Sequence, residues 1–227
     1  MSVWTRIWES VSSLAKGEPL SAVFEKLTRK PEDTVAFTIA VIALGAKMAK
    51  ADGRVTRDEI AAFRQVFHVP KEEERRAAQI YNLARTEVAG FETYARQVAR
   101  MFEDRPVVLR DLIEGLIYIA AADGEFHPGE SAYLLRVAEI FQISPEELRQ
   151  IRARHIADLN DPHEILGVDP KASAEEIRRH YRQLVRELHP DQMIARGVPE
   201  EARKFAEQRL AAINTAYETL LSSPAES

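Results

Sequence analysis

The sequence predicts an all-α protein, in which a helical domain built on an internal repeat precedes a small helical hairpin. Runs rich in Ala, Leu, Glu, Arg and Gln recur along the 227 residues, and the 9 Gly and 11 Pro fall mostly between them, where helix-breaking residues belong. No long segment alternates apolar and polar residues with the period of two that a half-buried strand requires. The composition, 45% hydrophobic and 30% charged, supports a buried core and argues against global disorder.

Apolar spacing and breakers together place helices at 2–16, 19–29, 32–51, 57–68, 71–86, 90–103, 106–122, 128–141 and 145–157, then at 162–166, 174–189 and 200–221. In the first, Trp4, Ile7, Trp8, Val11 and Leu14 make a single apolar stripe. The stripe fits an arm packed on the core or on a second subunit, while Trp4 and Trp8 also suit peripheral contact with a lipid headgroup layer. Only Arg6 and Lys16 add positive charge there. The most apolar run, Val35 to Ala49, is 15 residues long and contains Lys47. It is too short to span a bilayer and predicts a buried core helix. No apolar segment with a small-residue cleavage site follows the N-terminus, so a soluble chain without a secretory leader is expected.

A repeat organises the larger domain, expected at 20–157 after an amphipathic helix over 1–19. Ala49–Glu59 parallels Ala120–Glu130, with Asp52, Gly53 and Glu59 matching Asp123, Gly124 and Glu130 at a constant offset of 71; Phe67 and Glu72–Glu73 match Phe141 and Glu146–Glu147 at an offset of 74. Each unit is a helix, an Asp-Gly turn, a second helix, a short break and an acidic helix start. Two such units bury their apolar faces against each other. Asp-Gly with an acid seven residues after the Asp matches the second half of a calcium loop, which makes Asp52, Glu59, Asp123 and Glu130 weak metal candidates. The first half lacks its ligands, because Met48, Lys50, Ile119 and Ala121 occupy those positions. A structural account covers the same residues. Gly53 and Gly124 stop one helix, Thr56-x-x-Glu59 is a capping box for the next, and in the second unit Pro128 suits the first helical position with Glu130 at the third. The paired Ala-Asp-Gly turns resemble the tellurite-resistance TerB-like domain over about residues 31–155. Some members of that family are associated with metal binding or membrane complexes.

Asn160-Asp161-Pro162 is a helix-breaking turn, and it opens the segment expected at 158–227. On the helix over 174–189, Ile177, Tyr181, Leu184 and Leu188 fall within about 60° of one another and define a core face. Arg178, Arg179, Arg182 and Arg186 fill a separate outer sector. On the last helix Ala206, Leu210, Ile213, Tyr217 and Leu220 form the complementary stripe. The connection begins His189-Pro190-Asp191, and Pro190 disfavours α conformation at His189, so the helix ends there with imidazole and carboxylate at an exposed tip.

In its setting, with Leu166-Gly167-Val168 before it, Tyr181-Arg182-x-Leu184 on the preceding helix and Ala216-Tyr217-x-x-Leu220 on the following one, this segment resembles the J domain of DnaJ-like co-chaperones. The resemblance implies that His189, Pro190 and Asp191, with the basic face of Arg178, Arg179, Arg182 and Arg186, dock on a DnaK-type chaperone and stimulate its ATP hydrolysis. Pro162-His163 replaces the aromatic pair usual in that family, and no Gly/Phe-rich or zinc-binding region follows. The loop after the tripeptide and the order of the two domains are similar to DjlA-like proteins. An N-terminal segment anchors those proteins in the membrane. Here the expectation is a cytoplasmic chain, with peripheral contact at the inner face through Trp4 and Trp8 as the alternative.

Composition limits the other possibilities. A net charge of −5 is opposite to what a nucleic-acid binder working by counterion release requires. With no cysteine, disulfides, Cys-zinc sites, iron–sulfur clusters and thiol nucleophiles are excluded. No cofactor is implied. His189 and Asp191 are close enough for acid–base or metal chemistry, but there is no HExxH-type pair and no glycine-rich phosphate loop, so an enzyme is not expected. A third reading makes the TerB-like domain the working part, with a protein partner of its own or a weakly bound cation in an envelope or stress response, and the J domain accessory.

Overall fold

The computed structural model describes residues 33–52, 60–62, 75, 78, 90–123, 127–156, 159–189, 191–192 and 200–222. The helix expected at 2–16 with Trp4 and Trp8, the one at 19–29, most of those at 57–68 and 71–86, and Gly53, Glu59, Gly124 and Pro190 lie outside these residues. Among the described residues there is no strand.

The repeat domain is built around two apolar helices, α1 (Asp33–Asp52) and α3 (Pro106–Ala120). From Ile39 to Leu44 every side chain of α1 is fully buried. A helix apolar on all sides belongs inside a core, as the run from Val35 to Ala49 predicts. Lys47, the charge within that run, is buried as well, and its ammonium lies 5.1 Å from the centre of the Tyr94 ring. The ring face compensates part of the hydration the cation loses.

Around this pair pack α2 (Phe91–Met101), α4 (Pro128–Ile140) and α5 (Pro145–His155). Helix α1 contacts α2, α3 and α4, and α3 contacts α4 and α5. The buried Tyr133 hydroxyl of α4 donates to the Leu44 carbonyl of α1 at 2.8 Å, and burial pushes its ionisation well above the usual tyrosine value. Prolines sit in the first turn of α3, α4 and α5, where the missing amide costs nothing. Ser144 caps α5 by accepting the Glu147 amide at 3.1 Å. Helix α3 stops two residues before its expected end and passes into one 3-10 turn, Ala121–Asp123.

The C-terminal segment contributes α6 (Pro162–Leu166), α7 (Ala174–Glu187) and α8 (Glu200–Ser222). Helix α7 ends at Glu187, two residues short of the expected 189, with Leu188 as its cap. A residue before proline is pushed out of the α region, so the helix closes ahead of it. Helix α8 contacts α6 and α7 and also α1, α3 and α5; α6 contacts α5. Ile165, Leu166, Ile177, Leu188, Ile213 and Ala216 belong to the same buried cluster as the interior of α1 and α3. One apolar core therefore runs through both parts of the chain.

Between α4 and α5, Gln142 adopts φ 59°, while the Ile143 amide donates to Ala138 O at 2.9 Å. This is a Schellman closure with a side chain where glycine is preferred. Replacing Gln142 with glycine relieves the left-handed strain and restores part of the entropy cost. Gln142→Gly is expected to stabilise the protein by about 0.5–1 kcal/mol, read as a higher urea midpoint with an unchanged slope.

Candidate functional site

The tripeptide and the basic stripe are held in place by the two ends and the inner face of α7. At its start Ser173 and Glu176 form a reciprocal capping box: the Ser173 amide donates to Glu176 Oε2 at 2.8 Å, and Ser173 Oγ accepts the Glu176 amide at 3.3 Å. The Ser173 amide, with the Ser173 hydroxyl donating to the same oxygen at 2.8 Å, holds the Glu176 carboxyl below its usual range. Ahead of it, Gly167 takes the left-handed conformation, φ 67°, that ends α6. A Cβ there would lie 2.8 Å from Gln150 Nε2 of α5, the movable end of that side chain, so it is the left-handed turn that requires glycine.

The inner face of α7 is the one expected. Ile177 and Leu188 are buried, and Tyr181 and Leu184 pack half-buried against the core. The Tyr181 ring stacks on Tyr217 of α8 with centroids 3.9 Å apart and planes at 12°. Its hydroxyl donates to Asn214 Oδ1 at 3.0 Å. Since Leu184 and Leu188 line a cleft with Arg209, α7 and α8 run antiparallel.

On the outer face Arg178, Arg179, Arg182 and Arg186 are all exposed. Among the described residues none of them is held in a salt bridge; Arg182 Nε donates to the Arg178 carbonyl at 3.2 Å, which lays that side chain along the helix. Beyond the helix end, His189 and Asp191 keep 57% and 84% of their side-chain surface in solvent. The Asp191 amide donates to His189 Nδ1 at 3.3 Å, and Nδ1 is 3.6 Å from Asp191 Oδ2. An acceptor at Nδ1 leaves the ring proton on Nε2. The structure brings His189, Asp191 and the four arginines onto one continuous, exposed surface. Pro190 itself lies outside the described residues.

Of the four metal candidates, only Glu130 has its side chain among the described residues. Glu130 is buried, and its Oε2 accepts the His127 amide at 3.0 Å, the capping role that its position three residues into α4 predicts. The side chains of Asp52 and Asp123, like Glu59, lie outside the described residues. Among the described residues no group of three or more His, Asp or Glu is arranged to hold a metal ion.

A second polar cluster was not anticipated. Asp111 and Glu114 of α3 have no exposed surface. Arg209 of α8, almost buried, reaches Asp111 Oδ1 at 2.9 Å and also pairs with Glu114. His155, at the end of α5, makes a 2.9 Å hydrogen bond to Glu114 Oε1 through Nε2. Arg154 lines the same cleft as Asp111 and Arg209; burial draws it down to about 10, so it remains a cation at neutral pH. Arg209 is thus the guanidinium that pairs with both carboxylates, while Arg154 is drawn to Glu147. Burial, together with Arg154, draws His155 down from 6.5 to about 4. It is therefore neutral and donates its Nε2 proton to Glu114. Burial also pushes Asp111 up, against the pull of Arg209. A trace of this cluster is visible in the sequence, as two acids three residues apart inside the apolar run Pro106–Ala120. Their partner, 98 residues away, is not.

The family model described as Tellurite resistance protein TerB matches residues 38–153, just over half of the chain. The chain belongs to the TerB family. A DnaJ domain model matches residues 161–226, which span α6, α7, the tripeptide and α8. Co-chaperone protein DjlA of Coxiella burnetii is 29% identical over 194 residues, covering 76% of this chain and 72% of that protein. The protein of the same name from Vibrio cholerae serotype O1 is 29% identical over 206 residues, with the same coverage. That of Escherichia coli K12 is 28% identical over 200 residues, covering 76% and 74%. No solved structure matches the chain. The DjlA relatives thus align across both the TerB and the DnaJ regions, in agreement with the resemblance drawn from the motifs. Among the described residues no helix is long and apolar enough to cross a membrane.

The neutral, buried His155 of the TerB domain makes stability depend on pH. Unfolding frees a ring that takes a proton below about 6.5, whereas the folded protein refuses it until about 4. Its contribution is thus fully present above pH 6.5 and is lost as pH falls through that window. His155→Gln keeps a donor for Glu114 but binds no proton. The slope of unfolding free energy against pH between 6.5 and 4 is expected to be lower in this variant by up to about 1.4 kcal/mol per pH unit. Urea unfolding at a series of pH values checks this. Asp111 acts in the opposite sense in both proteins and cancels in the comparison.

Proposed function

We propose that this protein is a DjlA-like co-chaperone whose J domain docks on a DnaK-type chaperone and stimulates its ATP hydrolysis. The observation that carries this reading is the single exposed surface formed by His189, Asp191 and the four arginines of α7. Unpaired guanidiniums on a rigid helix steer and orient a partner with an acidic surface. The tripeptide beside them then supplies contacts that favour the partner's hydrolysis-competent state over its resting state, which is what a stimulator must do energetically. The bond broken is the partner's ATP, so no catalytic residue is required of this chain. The DjlA relatives, named as co-chaperones, support the assignment.

In this reading the TerB-like domain, assigned to 20–157 with the J domain at 158–227, serves targeting or binds a protein of its own. The chain works in the cytoplasm, and Trp4 and Trp8 supply peripheral contact at the inner face of the membrane. Because Arg209 pairs with Asp111 and Glu114, a fragment ending at 157 loses the partner of two buried carboxylates. Full-length His189→Gln is therefore the suitable bait for a TerB-domain partner.

Single-turnover ATP hydrolysis by a DnaK-type chaperone decides the main assignment. The full chain is expected to raise the rate, and His189→Gln to return it to the basal value. An unaltered rate with the native chain, or equal stimulation by the variant, refutes the reading. Reversing the stripe with Arg182→Glu and Arg186→Glu is expected to raise the half-maximal concentration by about tenfold at low salt, with a smaller difference at high salt.

A further inference from the structure

We infer that Arg209 is a positioning residue: by pairing with Asp111 and Glu114 it fixes the J domain on the TerB-like domain in one orientation, so that the tripeptide and arginine stripe meet the chaperone as part of one rigid body.

The interface has the properties such a clamp requires. Helix α8 carries Arg209 on the side that meets α3, and Ile213 and Ala216, one and two turns further on, are buried in the core that both domains share. The two carboxylates it reaches have no exposed surface. Glu114 gains a second partner from within its own domain, His155. Gly167 brings the backbone of the J domain against Gln150, and Arg149 of α5 lies 3.8 Å from Glu164 of α6 at the rim. A charge pair buried between two elements specifies their register, since any other arrangement strands a charge away from water.

The clamp leaves the docking surface open. A cleft of about 370 Å³ separates the flank of α7, at Leu184, Glu187 and Leu188, from Arg110 and Glu147 of the TerB-like domain. The stripe lies outside that cleft and is exposed. A chaperone docked on the stripe and tripeptide therefore meets the TerB-like domain at a fixed offset from them. Losing the clamp multiplies the orientations of the J domain, of which only a fraction is competent for docking; apparent affinity falls by that fraction.

The positioning role rests on the co-chaperone reading, whereas the docked geometry does not, and the test separates them. Because the chain has no cysteine, Asp104→Cys and Lys171→Cys, both at exposed positions, take spin labels on the two domains without further changes. Pulsed dipolar spectroscopy on the labelled full chain is expected to give one narrow distance. Arg209→Met strands both carboxylates and broadens it; Arg209→Met combined with Asp111→Asn and Glu114→Gln removes the stranded charge and narrows it again. If Arg209→Met does not fold, Arg209→Lys, which cannot bridge both carboxylates in the same way, replaces it. In parallel, Arg209→Met raises the concentration for half-maximal ATPase stimulation by about fivefold at unchanged maximal rate, and the triple variant reverses this. A broad distribution in the native protein, or a narrow one in Arg209→Met, overturns the clamp. Broadened distances with unchanged stimulation overturn the positioning role and leave the co-chaperone reading intact. Absence of stimulation by the native chain overturns the co-chaperone reading, and the positioning role with it.

Discussion

A carboxylate moved from water into an apolar core costs several kcal/mol unless charge and hydrogen bonds replace its hydration. Helix α3 carries two of them, Asp111 and Glu114, one turn apart with no exposed surface. Within α3 only the charge of the neighbouring Arg110 acts on Asp111, and no side chain of the helix forms a hydrogen bond to either carboxylate among the described residues. Their partners come from elsewhere: His155 from the end of α5 and Arg209 from the last helix of the chain. The polar centre of the TerB-like domain is thus completed by the J domain. The apolar cluster reflects the same dependence, running without a break from Ile39 to Ala216.

This arrangement settles how α8 divides its surface. Arg209 meets α3, and Asn214 and Tyr217 receive α7. Helix α7 therefore packs its apolar face on α8 and turns the opposite face, with all four arginines, to solvent. The acidic total of the chain says nothing of this. What matters is that the arginines at 178, 179, 182 and 186 share one sector and that, although Glu175 falls within it at the start of the helix, none of the four is held in a salt bridge among the described residues. Guanidiniums left without ion pairs retain their charge for an incoming surface, which is the property electrostatic steering uses.

Much of the fold was legible because its determinants are local. Prolines at 106, 128, 145 and 162 open helices at the expected residues, since a proline needs only its own ring and the missing amide to do so. Glu130 caps α4 as its spacing from His127 requires. The inner and outer faces of α7 follow from the 3.6-residue period alone. Local reading placed two helix ends two residues late, at Glu187 and Ala120, and did not anticipate the left-handed backbone of Gln142 that closes α4. The site was legible in its chemistry, the tripeptide and the stripe, but its support was not.

The sequence by itself determined the all-α class, the repeat-built TerB-like domain with a J domain after it, and the residues of the exposed tip. Each of these depends on side chains within a few positions of one another. The tertiary structure alone decided that Arg209 meets Asp111 and Glu114, that His155 stays neutral beside them, and that Gly167 lies against Gln150. Those contacts join residues on different helices or at their ends, up to 98 positions apart. The amphipathic period of α8 marks which side of the helix is apolar, but not which buried charge the arginine among those apolar residues will find.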